Sequence, residues 1–281
     1  MSEMVDAANR WVKKHEYLHE VALLPITIDK IFEGATLITE LPENIDEGKE
    51  QFSNRIPLLH SVVNFNVAEV AGNLLQLIPN LDEEKDLPEE IRENAKKLSS
   101  LDDEERVNLV NDVLEGNEEW FLKISQKLDI DPNLLLYFTW TTIKYAISPL
   151  KADLRAWVDK SYWQHDYCPV CGNHPSSALM KKEKRGKQRF LHCEHCGTDW
   201  SYKRVGCPYC GNIDQKDLAI KDTENDTDLR VDLCNKCNTY LKTYIGGEKV
   251  TAGTSDWATI HLDLLMKDSG YTKKGGLLNT D

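Results

Sequence analysis

Every cysteine of this chain belongs to one of four Cys-x-x-Cys pairs: Cys168 and Cys171, Cys193 and Cys196, Cys207 and Cys210, Cys234 and Cys237. A two-residue spacer places both thiolates on one tight turn, within reach of a single metal ion, and two such turns complete a tetrahedral four-sulfur site. Four turns therefore specify two sites. Cys168-Pro169-Val170-Cys171-Gly172 and Cys207-Pro208-Tyr209-Cys210-Gly211 share one pattern, and Gly197 follows Cys196. Glycine at that point accepts the positive φ that turns backbone N–H groups toward sulfur. Between pairs, 21 residues separate Cys171 from Cys193 and 23 separate Cys210 from Cys234, but only 10 separate Cys196 from Cys207. Two consecutive ribbons are the natural division. The first takes Cys168, Cys171, Cys193 and Cys196; the second takes Cys207, Cys210, Cys234 and Cys237. Interleaved sites would need crossed loops. Disulfides are the competing use of so many cysteines. An amino terminus without the cationic and apolar regions of a secretory signal argues for a cytoplasmic protein with reduced thiols.

A chain of 281 residues, 41% of them hydrophobic, can bury a real core and form about two domains. Its net charge of -13 is unevenly spread, with 31 acidic against 17 basic residues in 1–160 and 16 against 17 in 161–281. Such an acidic balance works against nucleic-acid binding, which needs clustered cations to displace counterions. No apolar run approaches the roughly 20 residues that span a bilayer.

The two halves differ in pattern. Before residue 160 the periodicity is helical, and about six helices are expected. Val67, Val70, Ala71, Leu74 and Ile78 lie on one helix face, and Pro79 should end it. Val107, Val110 and Leu114 form a narrower stripe within an acidic stretch. Asp131-Pro132 is a helix start, with Leu136, Trp140, Ile143 and Ile147 following on one face. After residue 160 the segments are short. Strands are expected at 190–192, 199–202, 229–233 and 240–245. A final helix from Asp256 to Met266 should present Trp257, Ile260 and Leu264 on one side.

Four thiolates per ion leave no open coordination position, so catalysis at these metals is not expected. The chain also lacks a glycine-rich phosphate loop, a nucleophile elbow and a His-Glu hydrolase motif, and does not read as an enzyme. All-thiolate tetrahedral sites suit zinc or iron. Zinc implies a scaffold, whereas iron permits electron transfer or redox sensing. His165, His174, His192 and His195 flank the knuckles as supporting or surface groups. The cations Lys181, Lys182, Lys184, Arg185, Lys187 and Arg189 read as a solvated hairpin tip; contact with RNA or an acidic peptide is their alternative use. Arg204 stands where it can brace the two modules.

The runs CPVCGNHP (168–175), RFLHCEHCGTDW (189–200), KRVGCPYCG (203–211), LRVDLCNKCNTYLK (229–242) and DWATIHLDLLMKDSGY (256–271) together resemble the formate dehydrogenase accessory protein FdhE family. Upstream, Arg55-Ile56-Pro57-Leu58-Leu59 and Ser148-Pro149-Leu150 are consistent with it, while Asp232 stands where Glu is expected. The fold expected is α+β: an irregular helical domain (1–160), two tandem rubredoxin-like or zinc-ribbon four-cysteine modules (161–203 and 204–250), and a carboxy-terminal helix and tail (251–281). The resemblance implies a cytoplasmic maturation protein that binds the catalytic subunit of a molybdopterin-dependent formate dehydrogenase during assembly, with two zinc or iron ions. A rubredoxin-like electron carrier or redox sensor, and a nucleic-acid-binding zinc ribbon, are the alternatives.

Overall fold

The helical periodicities of the amino-terminal half become packed helices in the computed structural model, which describes residues 3–33, 35, 48–60, 66–161, 163–183, 186–223, 228–246 and 256–278. Among the described residues the helices are α1 (Glu3–Lys14), α2 (His19–Phe32), α3 (Gly48–Ser53), α4 (Val67–Leu75), α5 (Glu89–Lys97), α6 (Asp103–Glu115), α7 (Glu118–Leu128), α8 (Pro132–Ala146), α9 (Lys151–Ser161) and α10 (Ile260–Asp268). There are more of them than expected, because several are short and are separated by single 3₁₀ turns. The chain forms two compact units: Met1–Glu50 with Leu59–Lys151, and Gln51–Leu58 with Ala152–Asp281. The division at 160, 203 and 250 is a proposal about which segments fold on their own; position 250 lies outside the described residues.

In the first unit, local chemistry sets the helix ends. The Asp102 carboxylate accepts from the Glu105 N–H at 2.8 Å, and the Glu105 carboxylate accepts from the Asp102 N–H at 3.3 Å, a capping box that starts α6. Gly116, at φ 71°, ends that helix. Asp131 caps α8 through bonds from the N–H groups of Asn133 and Leu134, as the sequence suggests. The faces are less faithful to expectation. Helix α4 stops at Leu75, and Ile78 enters a following 3₁₀ turn (Ile78–Glu83), buried all the same. On α6, Leu109 and Val110 are buried, while Val107 and Leu114 are half-buried. On α8 the expected face holds, with Trp140, Ile143 and Ile147 buried and Leu136 half-buried, and Leu135, Phe138, Thr142 and Ala146 are buried beside it. Thr139 and Thr142 enter this core because their hydroxyls donate to the carbonyls of Leu135 and Thr139, at 2.8 and 2.7 Å.

The second unit begins with a segment far upstream. The Phe52 ring stacks on Trp163 with centroids 4.6 Å apart and meets Trp157 at 5.0 Å. The Leu58 N–H donates to the Pro169 carbonyl at 2.9 Å, and the Tyr167 hydroxyl to the Arg55 carbonyl at 2.8 Å. Residues 55–58 thus lean on the first cysteine turn, which explains their place among the motifs above.

Six strands form one mixed sheet: β1 (Ser177–Glu183), β2 (Gly186–His192), β3 (Asp199–Tyr202), β4 (Leu218–Asp222), β5 (Leu229–Cys234) and β6 (Thr239–Tyr244), in the order β3-β2-β1-β6-β5-β4. Each cysteine module supplies three antiparallel strands. The two halves join where β1 runs parallel to β6, with Ser177 opposite Lys242 and Leu179 opposite Tyr244. Strands β1 and β4 were not foreseen; β4 is largely exposed and carries no apolar alternation.

The carboxy-terminal segment departs from expectation. Asp256–Thr259 forms a 3₁₀ turn, and the α-helix begins at Ile260. Leu262, Asp263 and Met266 are buried, while Leu264 is 53% exposed. Leu262 and Met266 pack against Leu229, Val231, Tyr240 and Tyr244. The tighter turn shifts the helical phase, and Asp263 takes the inward place because cations await it. The Lys242 ammonium, on β6, donates to Asp256 and Asp263 at 2.9 Å each, and Lys273 donates to the same carboxylates at 2.8 and 3.0 Å. The Tyr240 hydroxyl donates to Asp263 at 2.8 Å.

Candidate metal centres

Each Cys-x-x-Cys pair sits on a knuckle closed by its own backbone. The Cys168 N–H donates to the Asn173 carbonyl at 2.8 Å, and the Gly172 N–H returns to the Cys168 carbonyl at 2.9 Å. The same two bonds recur from Cys193 to Thr198 and from Gly197 to Cys193, and again from Cys207 to Asn212 and from Gly211 to Cys207. Gly172, Gly197 and Gly211 have φ of 79°, 71° and 70°; the fourth knuckle places Asn238 there, at φ 52°. Asparagine tolerates the left-handed region better than other side chains, so one local structure serves all four turns.

The turns assemble as the consecutive division anticipates. Cys168, Cys171, Cys193 and Cys196 form one group, and Cys207, Cys210, Cys234 and Cys237 the other, with all sulfurs of a group within 4.8 Å of one another. Cys168 lies 3.4 Å from Cys196, and Cys171 3.5 Å from Cys193, sulfur to sulfur. In the second group Cys207 to Cys237 and Cys210 to Cys234 are both 3.7 Å. A tetrahedral ion with bonds of about 2.3 Å spaces its sulfurs by roughly 3.8 Å, so both groups fit such an ion. No histidine joins either group among the described residues.

The residue two places after each second cysteine was missed from sequence, although its pattern is visible: Asn173, Thr198, Asn212 and Thr239. Asn173 donates its side-chain N–H to Cys171 sulfur at 3.4 Å. The Thr198 and Thr239 hydroxyls lie 3.2 and 3.0 Å from the sulfurs of Cys196 and Cys237. Backbone N–H groups of Val170 and Tyr209 reach Cys168 and Cys207, each at 3.4 Å. Such donors stabilise thiolate over thiol.

Electrostatics point the same way. Burial pushes the Cys168 and Cys193 thiols well above their ordinary range. Burial also opposes ionisation of Cys196, but hydrogen bonds from the neighbouring sulfurs and Thr198 outweigh it and hold that thiol well down. A dry group of this kind cannot carry four negative charges alone, whereas a soft cation at its centre neutralises them.

The flanking histidines take supporting or surface places, and the basic residues divide between exposed and internal ones. His192 is buried and bonded to the Asp199 carboxylate at 2.7 Å, with Glu194 3.6 Å away; although burial opposes the charge, these carboxylates raise its pKa to about 9. His195 is also buried, and His174 is exposed. Of the basic cluster, Lys181 pairs with Asp199 at 2.6 Å, and Lys187 donates to the Ile245 carbonyl. Arg189 is buried, donating to the Gly206 carbonyl at 2.9 Å. Lys184 and Arg185 lie outside the described residues. Arg204 is exposed and has no hydrogen-bond or ion-pair partner among the described residues, whereas Trp200 is buried and donates its indole N–H to the His165 carbonyl at 3.0 Å. No described helix is long and apolar enough to cross a membrane.

Comparison with known proteins covers both groups. The FdhE central domain matches residues 167–204, and the FdhE C-terminal domain residues 191–279. A protein of Aquifex aeolicus described as a protein FdhE homolog is 31% identical over 193 residues, which are 66% of this chain and 61% of that protein. The chain thus aligns with about three fifths of that relative's length. Protein FdhE of Salmonella choleraesuis is 26% identical over 249 residues, 84% of this chain and 71% of its own. The crystal structure of the FdhE protein from Pseudomonas aeruginosa superposes with a TM-score of 0.66 at 18% identity, covering 98% of this chain and 94% of that one, which establishes a shared fold.

Proposed function

We propose that this chain, which is similar to FdhE proteins across both cysteine groups, is an accessory protein of the cytoplasm that binds the catalytic subunit of a molybdopterin-dependent formate dehydrogenase during assembly. In this reading it performs no catalysis itself. Each four-cysteine group holds one zinc or iron ion, with all eight cysteines as ligands. The observation that carries the reading is that the matched FdhE domains, 167–204 and 191–279, contain both complete cysteine groups. The metal modules then act first as scaffolds, since a ribbon of about 40 residues buries too little apolar surface to fold unaided. Two cations of the basic cluster, Lys181 and Arg189, are engaged internally, which weakens the case for nucleic-acid binding.

Tagged full-length protein, passed over a catalytic subunit made without its cofactors and over the finished enzyme, should retain the immature form preferentially. Deletion of the gene should abolish formate oxidation. Wild-type formate oxidation in the deletion strain would overturn the proposal.

A further inference from the structure

The four knuckles share one backbone, yet the two cysteine groups differ in exposure. Cys168, Cys193 and Cys196 are fully buried and Cys171 is 3% exposed. In the second group Cys207 and Cys234 are buried, but Cys237 is half-buried and Cys210 is exposed. An exposed sulfur can leave its ion, accept a proton from water and admit a replacement; a buried one can do none of these until the fold opens. The surroundings reinforce the contrast. Val205 and Ile213, on either side of this knuckle, are 53% and 66% exposed. A Cβ on Gly206 would meet the Ile213 side chain at 3.3 Å and the Lys203 side chain at 3.5 Å, which brings Ile213 and the stem of a lysine together at this knuckle. Lys236, between Cys234 and Cys237, is a second exposed cation. Cations beside an open thiolate site favour an anionic incoming ligand.

We propose that the second cysteine group is an exchange site, at which an incoming thiolate displaces Cys210 from the bound ion, while the first group holds its ion permanently. The inference rests on the reading of both groups as metal sites. The step is a ligand substitution without redox change: the new metal–sulfur bond forms as the Cys210 bond breaks, and the departing Cys210 thiolate takes a proton from solvent. The ion, now bridged to the incoming thiolate, can pass to a cysteine-bearing acceptor, or arrive from one by the reverse path.

Full-length protein loaded with zinc tests this. Metal content comes first: two equivalents per chain are expected, and fewer would overturn the underlying reading of the sites and this proposal with it. A chromogenic chelator should then withdraw one equivalent on the order of tenfold faster than the other, a ratio that needs only about 1.4 kcal/mol of barrier difference. Adding a small anionic thiol should speed the fast phase and leave the slow phase unchanged. Cys210→Ser should remove or accelerate only the fast equivalent. In the unaltered zinc-loaded chain, iodoacetamide followed by peptide mapping should label Cys210 first, Cys237 next, and Cys168, Cys193 and Cys196 last. Two equivalents leaving with one rate constant, a fast phase untouched by Cys210→Ser, or earlier labelling of the first group would overturn the exchange proposal and leave the metal sites themselves standing.

Discussion

Lys242 is 2% exposed, yet it is charged, and its ammonium lies between the carboxylates of Asp256 and Asp263. Desolvation opposes its charge, but those carboxylates prevail and its pKa is raised; Asp256 is lowered because Lys242 and Lys273 outweigh its own burial. The arrangement is balanced, two cations against two anions, and only removal of one partner exposes its cost. Lys242→Met should destabilise the folded chain by about 3–5 kcal/mol, because it leaves an excess of buried negative charge. Adding Asp263→Asn should restore part of the loss. Chemical unfolding of the metal-loaded variants measures both. The difference between native chain and Lys242→Met should also depend on pH in a definite direction. Asp256, with a folded pKa below its ordinary 3.8, contributes stability above that value and loses it as pH falls. Lys242, with a folded pKa above its ordinary 10.5, contributes below that value and loses its contribution as pH rises through the raised one. The difference should therefore be flat between these limits and shrink outside them.

At the scale of elements, helix contacts in the first unit depend on one missing side chain. A Cβ on Gly72 of α4 would stand 3.1 Å from the Val107 side chain and 3.4 Å from its backbone nitrogen on α6. Gly72→Val should force these helices apart and cost about 1–3 kcal/mol, read as a lower thermal midpoint of the helical signal. Gly72→Ala should cost less, since alanine's better helix propensity offsets part of the crowding. The periodicity of Val67, Val70, Ala71 and Leu74 located this helix correctly, but it could not reveal that Gly72 faces a neighbour. The phase of the carboxy-terminal helix failed for a related reason. Hydrophobicity alone favoured Leu264 as an inward residue, whereas the fold turned Asp263 inward to meet two lysines.

For the whole molecule, the central question is whether the two metal modules stand or fall together. Their strands form a single sheet through β1 and β6, and the Tyr209 hydroxyl of the second module donates to the Pro175 carbonyl of the first at 2.9 Å. Replacing Cys168 and Cys171 with Ser should lower the metal content from about two ions to about one, since serine hydroxyl is a poor ligand for soft metals. The cysteine-free helices of the first unit should keep most of their circular dichroism. The remaining ion should leave more readily than from the native chain, because the sheet loses the order that metal binding maintains in β1 and β2. Loss of both ions would show that the modules form one cooperative unit, and loss of the helical signal would show that residues 1–160 do not fold on their own.

The eight cysteines and their grouping followed from the sequence because a Cys-x-x-Cys knuckle is decided by neighbours. Its turn, its positive-φ residue and its backbone bonds all lie within six residues, and the loop lengths between pairs favour consecutive sites over crossed ones. The same local sufficiency made the Asp131-Pro132 helix start legible. What only the tertiary structure decided is whatever depends on distant chain. The parallel pairing of Ser177 with Lys242 joins residues from different modules. Residues 55–58 reach Pro169 and Tyr167 across more than a hundred positions. Above all, Cys171 and Cys210 occupy the same place in nearly identical motifs, and one is sealed while the other is exposed. Burial is a property of what the rest of the chain lays over a residue, and no local motif carries that information.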